Sequence, residues 1–217
     1  MKKYSTVLFD LDGTIIDSGE GVTNSVAYAL ERLGIAVNDK STLKRFIGPP
    51  LIYSFMTFYG FDREKALLAI EYYREYYQDK GIFEGYIYNG VEALLSDLKQ
   101  KGKRIILATS KPEVFAKRIL ERAGIIKYFD FVGGATLDET TRNTKIDVLE
   151  YVIKEANIDT VNDVIMIGDR FYDIEGAHNF GIDCIAVLYG YGARDEFEKY
   201  GAEYIFETPE QISEFLS

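Results

Sequence analysis

The chain has 217 residues, 47% of them hydrophobic and 28% charged, with four prolines and a net charge of −10. This composition excludes disorder over most of the length and leaves one large domain or two small ones. The acidic balance repels polyphosphate backbones and anionic bilayer surfaces, so neither nucleic acid nor a membrane is an expected partner, and no apolar run reaches the length of a bilayer span.

In chain order, the apolar stretch after Met1-Lys2-Lys3 ends at Phe9, too short for a signal peptide, and Val7-Leu8-Phe9 reads as a strand. From Asp17 to about Gly81 the pattern is helical without a convincing strand. Val22, Val26, Leu30 and Leu33 recur at helical spacing up to Gly34, and Ile52, Phe55, Met56 and Tyr59 up to Gly60. Asp62 opens a third stretch with Ala66, Leu67, Ile70, Tyr73 and Tyr77 on one side. Tyr72, Tyr73, Tyr76 and Tyr77 fit the packing face of a bundle better than a base-stacking surface.

After Gly85 to Gly90 a helix carries Val91, Leu94, Leu95 and Leu98. Lys99, Lys101, Lys103 and Arg104 fall where that helix ends, a place that favours cations. Strands at Ile105–Ala108, Phe131–Val132, Val164–Ile167 and Cys184–Leu188 then alternate with helices over Val114–Ala123, Ile146–Ala156 and Ile174–Phe180. Runs apolar on both faces, alternating with helices, predict an α/β class: a Rossmann-like parallel sheet with helices on both faces. The expected domains are a core of residues 1–16 and 85–217 and an inserted helical domain of residues 17–84. The lone cysteine, Cys184, lies in an apolar run and has no partner for an internal disulfide, which fits a reducing compartment; the expected location is cytoplasmic. The single histidine, His178, excludes a histidine-based triad or zinc site. Gly190-Tyr191-Gly192 reads as a turn after the last strand and not as a phosphate loop.

Asp10 and Asp12 stand at the carboxyl end of the first strand, where ligands bind in open α/β sheets. Carboxylates this close repel each other and require a proton or a cation, and a hard divalent ion such as Mg²⁺ meets that need with oxygen ligands. Gly13 permits a sharp turn, and Thr14 offers a hydroxyl and an amide to an anion.

Asp10-Leu11-Asp12-Gly13-Thr14 resembles the first motif of the haloacid dehalogenase superfamily. Ile105 to Lys111, Lys145, and Gly168-Asp169 with Asp173 resemble its other three motifs, in the family's order. The resemblance implies that Asp10 attacks phosphorus to form an aspartyl phosphate, and that Asp12 is general acid and base. It implies that Thr109 binds the phosphoryl oxygens and that Lys145 neutralises phosphate charge. Mg²⁺ is expected on Asp10, Asp169 and the backbone carbonyl of Asp12, with Asp173 holding a metal-bound water or the lysine. Gly13, Thr14, Ser110 and Lys111 are expected around the substrate, the last two where phosphoglycolate phosphatases carry Asn-Lys-Pro.

The helical insert resembles the family's small cap, which closes over the site and selects the substrate. Arg45 within it is a candidate for a second anionic group on the substrate, with an exposed helix-end arginine the equal alternative. The expected activity is a Mg²⁺-dependent phosphatase acting on a small phosphorylated metabolite, phosphoglycolate-like first and a nucleoside monophosphate second, as a monomer or homodimer. A dehalogenase lacks the acid at the place of Asp12; a sugar phosphomutase stays a lesser alternative, although such enzymes usually carry adjacent acids in the last motif. From a different class, a non-catalytic binding module that has kept the fold is the rival.

Overall fold

Short runs that are apolar on both faces must be covered on both faces. In a computed structural model of the protein, which describes residues 3–138 and 141–217, they form one six-stranded sheet. Its strands are β1 (Thr6–Phe9), β4 (Arg104–Pro112), β5 (Phe131–Ala135), β6 (Val164–Gly168), β7 (Asp183–Val187) and β8 (Tyr204–Phe206), in the order β5-β4-β1-β6-β7-β8. Every neighbouring pair is parallel. The two-residue strands β2 (Ile16–Asp17) and β3 (Tyr86–Ile87) mark where the chain leaves this unit and returns.

Side chains alternate across the sheet. Leu8, Ile106, Ala108, Met166, Cys184 and Ala186 share a buried cluster with Val148, Leu149, Val152, Ile174, Ala177 and Phe197. These last come from α6 (Lys145–Glu155), α7 (Phe171–Asn179) and α8 (Arg194–Tyr200). Residues of the opposite parity, among them Val7, Phe9, Leu107 and Ile167, are no more than 1% exposed. Each such side chain contributes roughly 1.5–3 kcal/mol of burial. Toward α4 (Val91–Gln100) the sheet meets the predicted Val91, Leu94, Leu95 and Leu98, all buried; α5 (Glu113–Arg122) covers β4 and β5, and α9 (Pro209–Phe215) packs beside α4. At the end of α4, Lys99 pairs with Asp130 at 2.8 Å and Lys101 with Asp97 at 2.6 Å, both ordinary surface pairs.

Contacts divide the chain into this unit, Met1–Ile16 with Ile87–Ser217, and a helical unit, Asp17–Tyr86. The helical unit comprises α1 (Gly19–Arg32), α2 (Leu51–Tyr59) and α3 (Arg63–Tyr77), with 3₁₀ turns at Lys40–Phe46 and Gly81–Phe83. Asp62 caps α3 by accepting the Lys65 N–H, and Gly60 ends α2 in the left-handed conformation. Phe46, Phe55 and Phe61 pack ring against ring, with centroids 5.0 Å apart for Phe46 and Phe55 and 6.0 Å for Phe55 and Phe61. Of the four tyrosines, Tyr73 and Tyr77 are buried and stacked on each other at 5.1 Å, while Tyr72 and Tyr76 are half-buried. Met56 departs from its expected inward face and is 41% exposed. Among the described residues, no helix is long and apolar enough to cross a membrane.

Candidate active site

Strand β1 lies between β4 and β6, with Phe9 in register with Leu107 on one side and Ile167 on the other. Asp10 and Asp169 are the next residues out from β1 and β6, Thr109 sits on β4, and the Asp10 N–H donates to the Ile167 carbonyl at 2.9 Å. Strands with successive sequence numbers run outward in opposite directions from the β1/β6 seam, so these groups meet where open α/β sheets bind ligands.

Lys145 reaches them from α6. Thr144 caps that helix by accepting the Asp147 N–H while the Asp147 carboxylate accepts the Thr144 N–H, which fixes Lys145 as the first helical residue. Its Nζ donates to Asp10 Oδ1 at 2.8 Å and to the Ala108 carbonyl at 2.9 Å. Asp173 Oδ1 also lies 2.8 Å from it, as an ion pair. Asp173 Oδ2 accepts the Arg170 N–H and closes the first turn of α7.

Asp10, Asp169 and Asp173 are all buried, and one carboxylate oxygen of each lies within 4.8 Å of the others. Burial pushes the Asp10 carboxyl up to about 6; Lys145 works against that shift and Asp173 and Asp12 add to it. Asp169 is raised well above the ordinary carboxylate range, by burial first and then by Asp173 and Asp10. Burial alone would lower Lys145, but Asp10 and Asp173 outweigh it and hold the ammonium charged. Three carboxyl groups face one ammonium in a pocket of hard oxygen donors, and a further cation would offset the burial that pushes Asp10 and Asp169 toward their protonated forms. Asp169 Oδ1 is moreover buried without a hydrogen-bond partner among the described residues. That donor set fits a divalent ion of the Mg²⁺ kind.

Asp12 lies beside this cluster, half-buried, with Oδ2 paired to Lys111 Nζ at 2.8 Å. The sequence reading set Lys111 on the substrate, and the structure sets its ammonium on Asp12. The register between β4 and β5 shifts between Thr109 and Pro112, and a bulge of this kind re-aims a side chain. Thr109 is buried and its Oγ1 accepts the Lys111 N–H at 3.2 Å, while Ser110 is half-buried on the same stretch. Gly13 takes φ +80°, the turn expected of it, and a Cβ there would stand 2.0 Å from Asp169 Oδ2.

Thr14 needs a correction. Its amide donates to the Leu11 carbonyl within the turn, leaving the hydroxyl as the group that could meet an anion; that hydroxyl is buried without a hydrogen-bond partner among the described residues. Arg45 belongs to the helical unit, where it is exposed with its guanidinium 4.5 Å from the centre of the Phe58 ring. His178 pairs with Glu203 at 3.0 Å on the surface.

Gly190-Tyr191-Gly192 follows β7 as a turn, and this turn also contacts the acidic cluster. Tyr191 N–H donates to Asp169 Oδ2 at 2.7 Å, and Tyr189 OH donates to the Thr14 carbonyl at 3.1 Å. Side-chain chemistry within Gly190-Tyr191-Gly192 could not have revealed the contact with Asp169, because it works through the Tyr191 N–H and through missing Cβ atoms.

Over residues 7–187 the sequence matches the haloacid dehalogenase-like hydrolases, and the chain belongs to that family. A predicted phosphatase from Clostridium acetobutylicum, solved by crystallography, has the same fold with a TM-score of 0.95 and 47% identity, over 99% of this chain and 98% of that one. A 5'-nucleotidase of Pseudomonas aeruginosa is 40% identical over 91% of this chain and 89% of its own length. A phosphoglycolate phosphatase of Colwellia psychrerythraea is 29% identical over 96% of this chain and 95% of its own. The protein is an enzyme, a phosphatase of this family, which sets aside the non-catalytic binding module.

Proposed function

We propose that the chain is a Mg²⁺-dependent phosphomonoesterase in which Asp10 is the nucleophile. The observation that carries this is the meeting of Asp10, Asp169 and Asp173, three buried carboxyl groups against the one ammonium of Lys145. Asp10, Asp169 and the Asp12 carbonyl would hold the ion, with Asp173 behind them. Bound there, it supplies the positive charge that offsets repulsion between a carboxylate nucleophile and an anionic phosphate.

Lys145 grips Asp10 by Oδ1, which orients the carboxylate for in-line attack by its other oxygen. The bond from phosphorus to the leaving oxygen breaks as the bond to Asp10 forms, and Asp12 delivers a proton to the departing alkoxide. Asp12 then takes a proton from the water that hydrolyses the aspartyl phosphate. Thr109, Ser110 and the Thr14 hydroxyl bind the phosphoryl oxygens, and Lys111 keeps Asp12 in place. The helical unit serves as the cap that selects the leaving group.

For the substrate, similarity favours a nucleoside 5'-monophosphate over phosphoglycolate, because the 5'-nucleotidase is the nearer of those two relatives. This reverses the order expected from the motifs alone. The test is phosphate release, with Mg²⁺, from a panel of nucleoside monophosphates, phosphoglycolate and hexose phosphates. Asp10→Asn should lower turnover at least about a thousandfold on whichever ester is cleaved. Silence of the native protein across the panel, or an active Asp10→Asn, defeats the proposal.

A further inference from the structure

The tetrapeptide Tyr189–Gly192 touches the site at four successive residues. A Cβ on Gly190 would stand 2.3 Å from the Gly13 carbonyl oxygen and 2.4 Å from Asp169 Cβ. A Cβ on Gly192 would stand 2.1 Å from the Asp169 carbonyl oxygen and 2.5 Å from the Phe197 ring. Between these glycines, the Tyr191 N–H holds Asp169 Oδ2. Before them, the Tyr189 hydroxyl holds the Thr14 carbonyl, and the Tyr189 ring packs on Tyr88 with centroids 5.2 Å apart. From the other side, Gly13 presses on the same carboxylate, its Cβ position 2.0 Å from Asp169 Oδ2. Asp169 is therefore clasped between two backbones that only glycine allows so near, with one oxygen tied and the other, Oδ1, without a hydrogen-bond partner among the described residues.

We infer that Tyr189–Gly192 is the positioning element of the metal site: it locks the Asp169 rotamer and fixes its distance from the Asp10–Thr14 turn. The inference rests on the phosphatase reading, since it assigns Asp169 to the cation. A carboxylate with one oxygen anchored offers the other in a single direction, and the ordering entropy is then already met before an ion arrives. Gly190 and Tyr189 touch no reacting atom. They act through Asp169 and Thr14.

The experiment titrates Mg²⁺ alone into the metal-free protein, followed by calorimetry and by the rise in melting temperature, with Gly190→Ala and Tyr189→Phe as variants. Loss of outer-shell support typically weakens metal affinity by about 10–100-fold, and that range is expected for Gly190→Ala. Tyr189→Phe keeps the ring and loses one neutral hydrogen bond, and about fivefold weaker Mg²⁺ binding is expected with metal-free melting close to native. Should Gly190→Ala fail to fold, Tyr189→Phe decides alone. Native Mg²⁺ affinity in Tyr189→Phe, or lower melting with unchanged affinity, overturns the positioning role and leaves the phosphatase reading intact. A native protein that binds no Mg²⁺ overturns both.

Discussion

The two units bury different things. In the sheet unit, the rim of β1, β4 and β6 encloses Asp10, Thr109, Lys111, Lys145, Asp169 and Asp173, all at most 9% exposed, held by charge and by directed hydrogen bonds. The helical unit instead buries rings and aliphatic groups, Phe46, Phe55, Phe61, Tyr73 and Tyr77 among them. The first arrangement tolerates almost no change of residue type, because each partner's removal strands another charge. The second tolerates repacking as long as volume is kept. The sheet unit is thereby held to its residue types while the helical unit is free to repack.

The sharpest test of that contrast is Lys145→Met. It removes the ammonium bonded to Asp10 and should cost about 3–5 kcal/mol in metal-free protein near pH 7.5 by chemical denaturation. The loss should shrink at pH 5, where the carboxyls can take protons. A cost equal at both pH values means the cluster is not governed by charge.

Phe55→Ala makes the opposite case in the helical unit. The ring is fully buried between Phe46 and Phe61, and its truncation should cost about 3 kcal/mol whatever the pH. A pH-dependent cost would erase the distinction drawn between the units.

The native protein gives a third test, from Asp10. Its carboxyl is raised from 3.8 to about 6, so between those values the folded state holds a proton that the unfolded state releases. Its contribution is full below the lower value and lost as pH rises through the upper one. Metal-free stability should therefore carry a loss of up to about 3 kcal/mol between acid and neutral pH, which saturating Mg²⁺ removes. Asp169, shifted in the same direction, adds to it. Urea denaturation at several pH values checks this, and a metal-free stability that rises over the interval contradicts it.

The smallest effect belongs to Arg45. Exposed and stacked on Phe58, it should yield only about 0.5–1 kcal/mol on replacement by alanine. A large change in substrate KM with unchanged stability would instead give it a part in selecting the substrate.

Much of the sheet unit could be read from residues alone, because a strand covered on both faces leaves an unbroken apolar run, as Val164 to Ile167 does. β8 escaped because Tyr204 to Phe206 is three residues long, at the edge of the sheet and only half-buried. Asp10 and Asp169 were legible because each directly follows an apolar strand. The Lys111–Asp12 pair was not, since it depends on the shift of register between β4 and β5. Met56 went astray because α2 is apolar nearly all round, so spacing could not choose its inner face.

Asp173 divides its carboxylate between two duties, Oδ2 securing the start of α7 and Oδ1 facing Lys145. For a lineage drifting by single substitutions, this position is a bottleneck. Asparagine would preserve the helix start and upset the ionic balance, whereas glutamate would preserve the balance and displace the helix start.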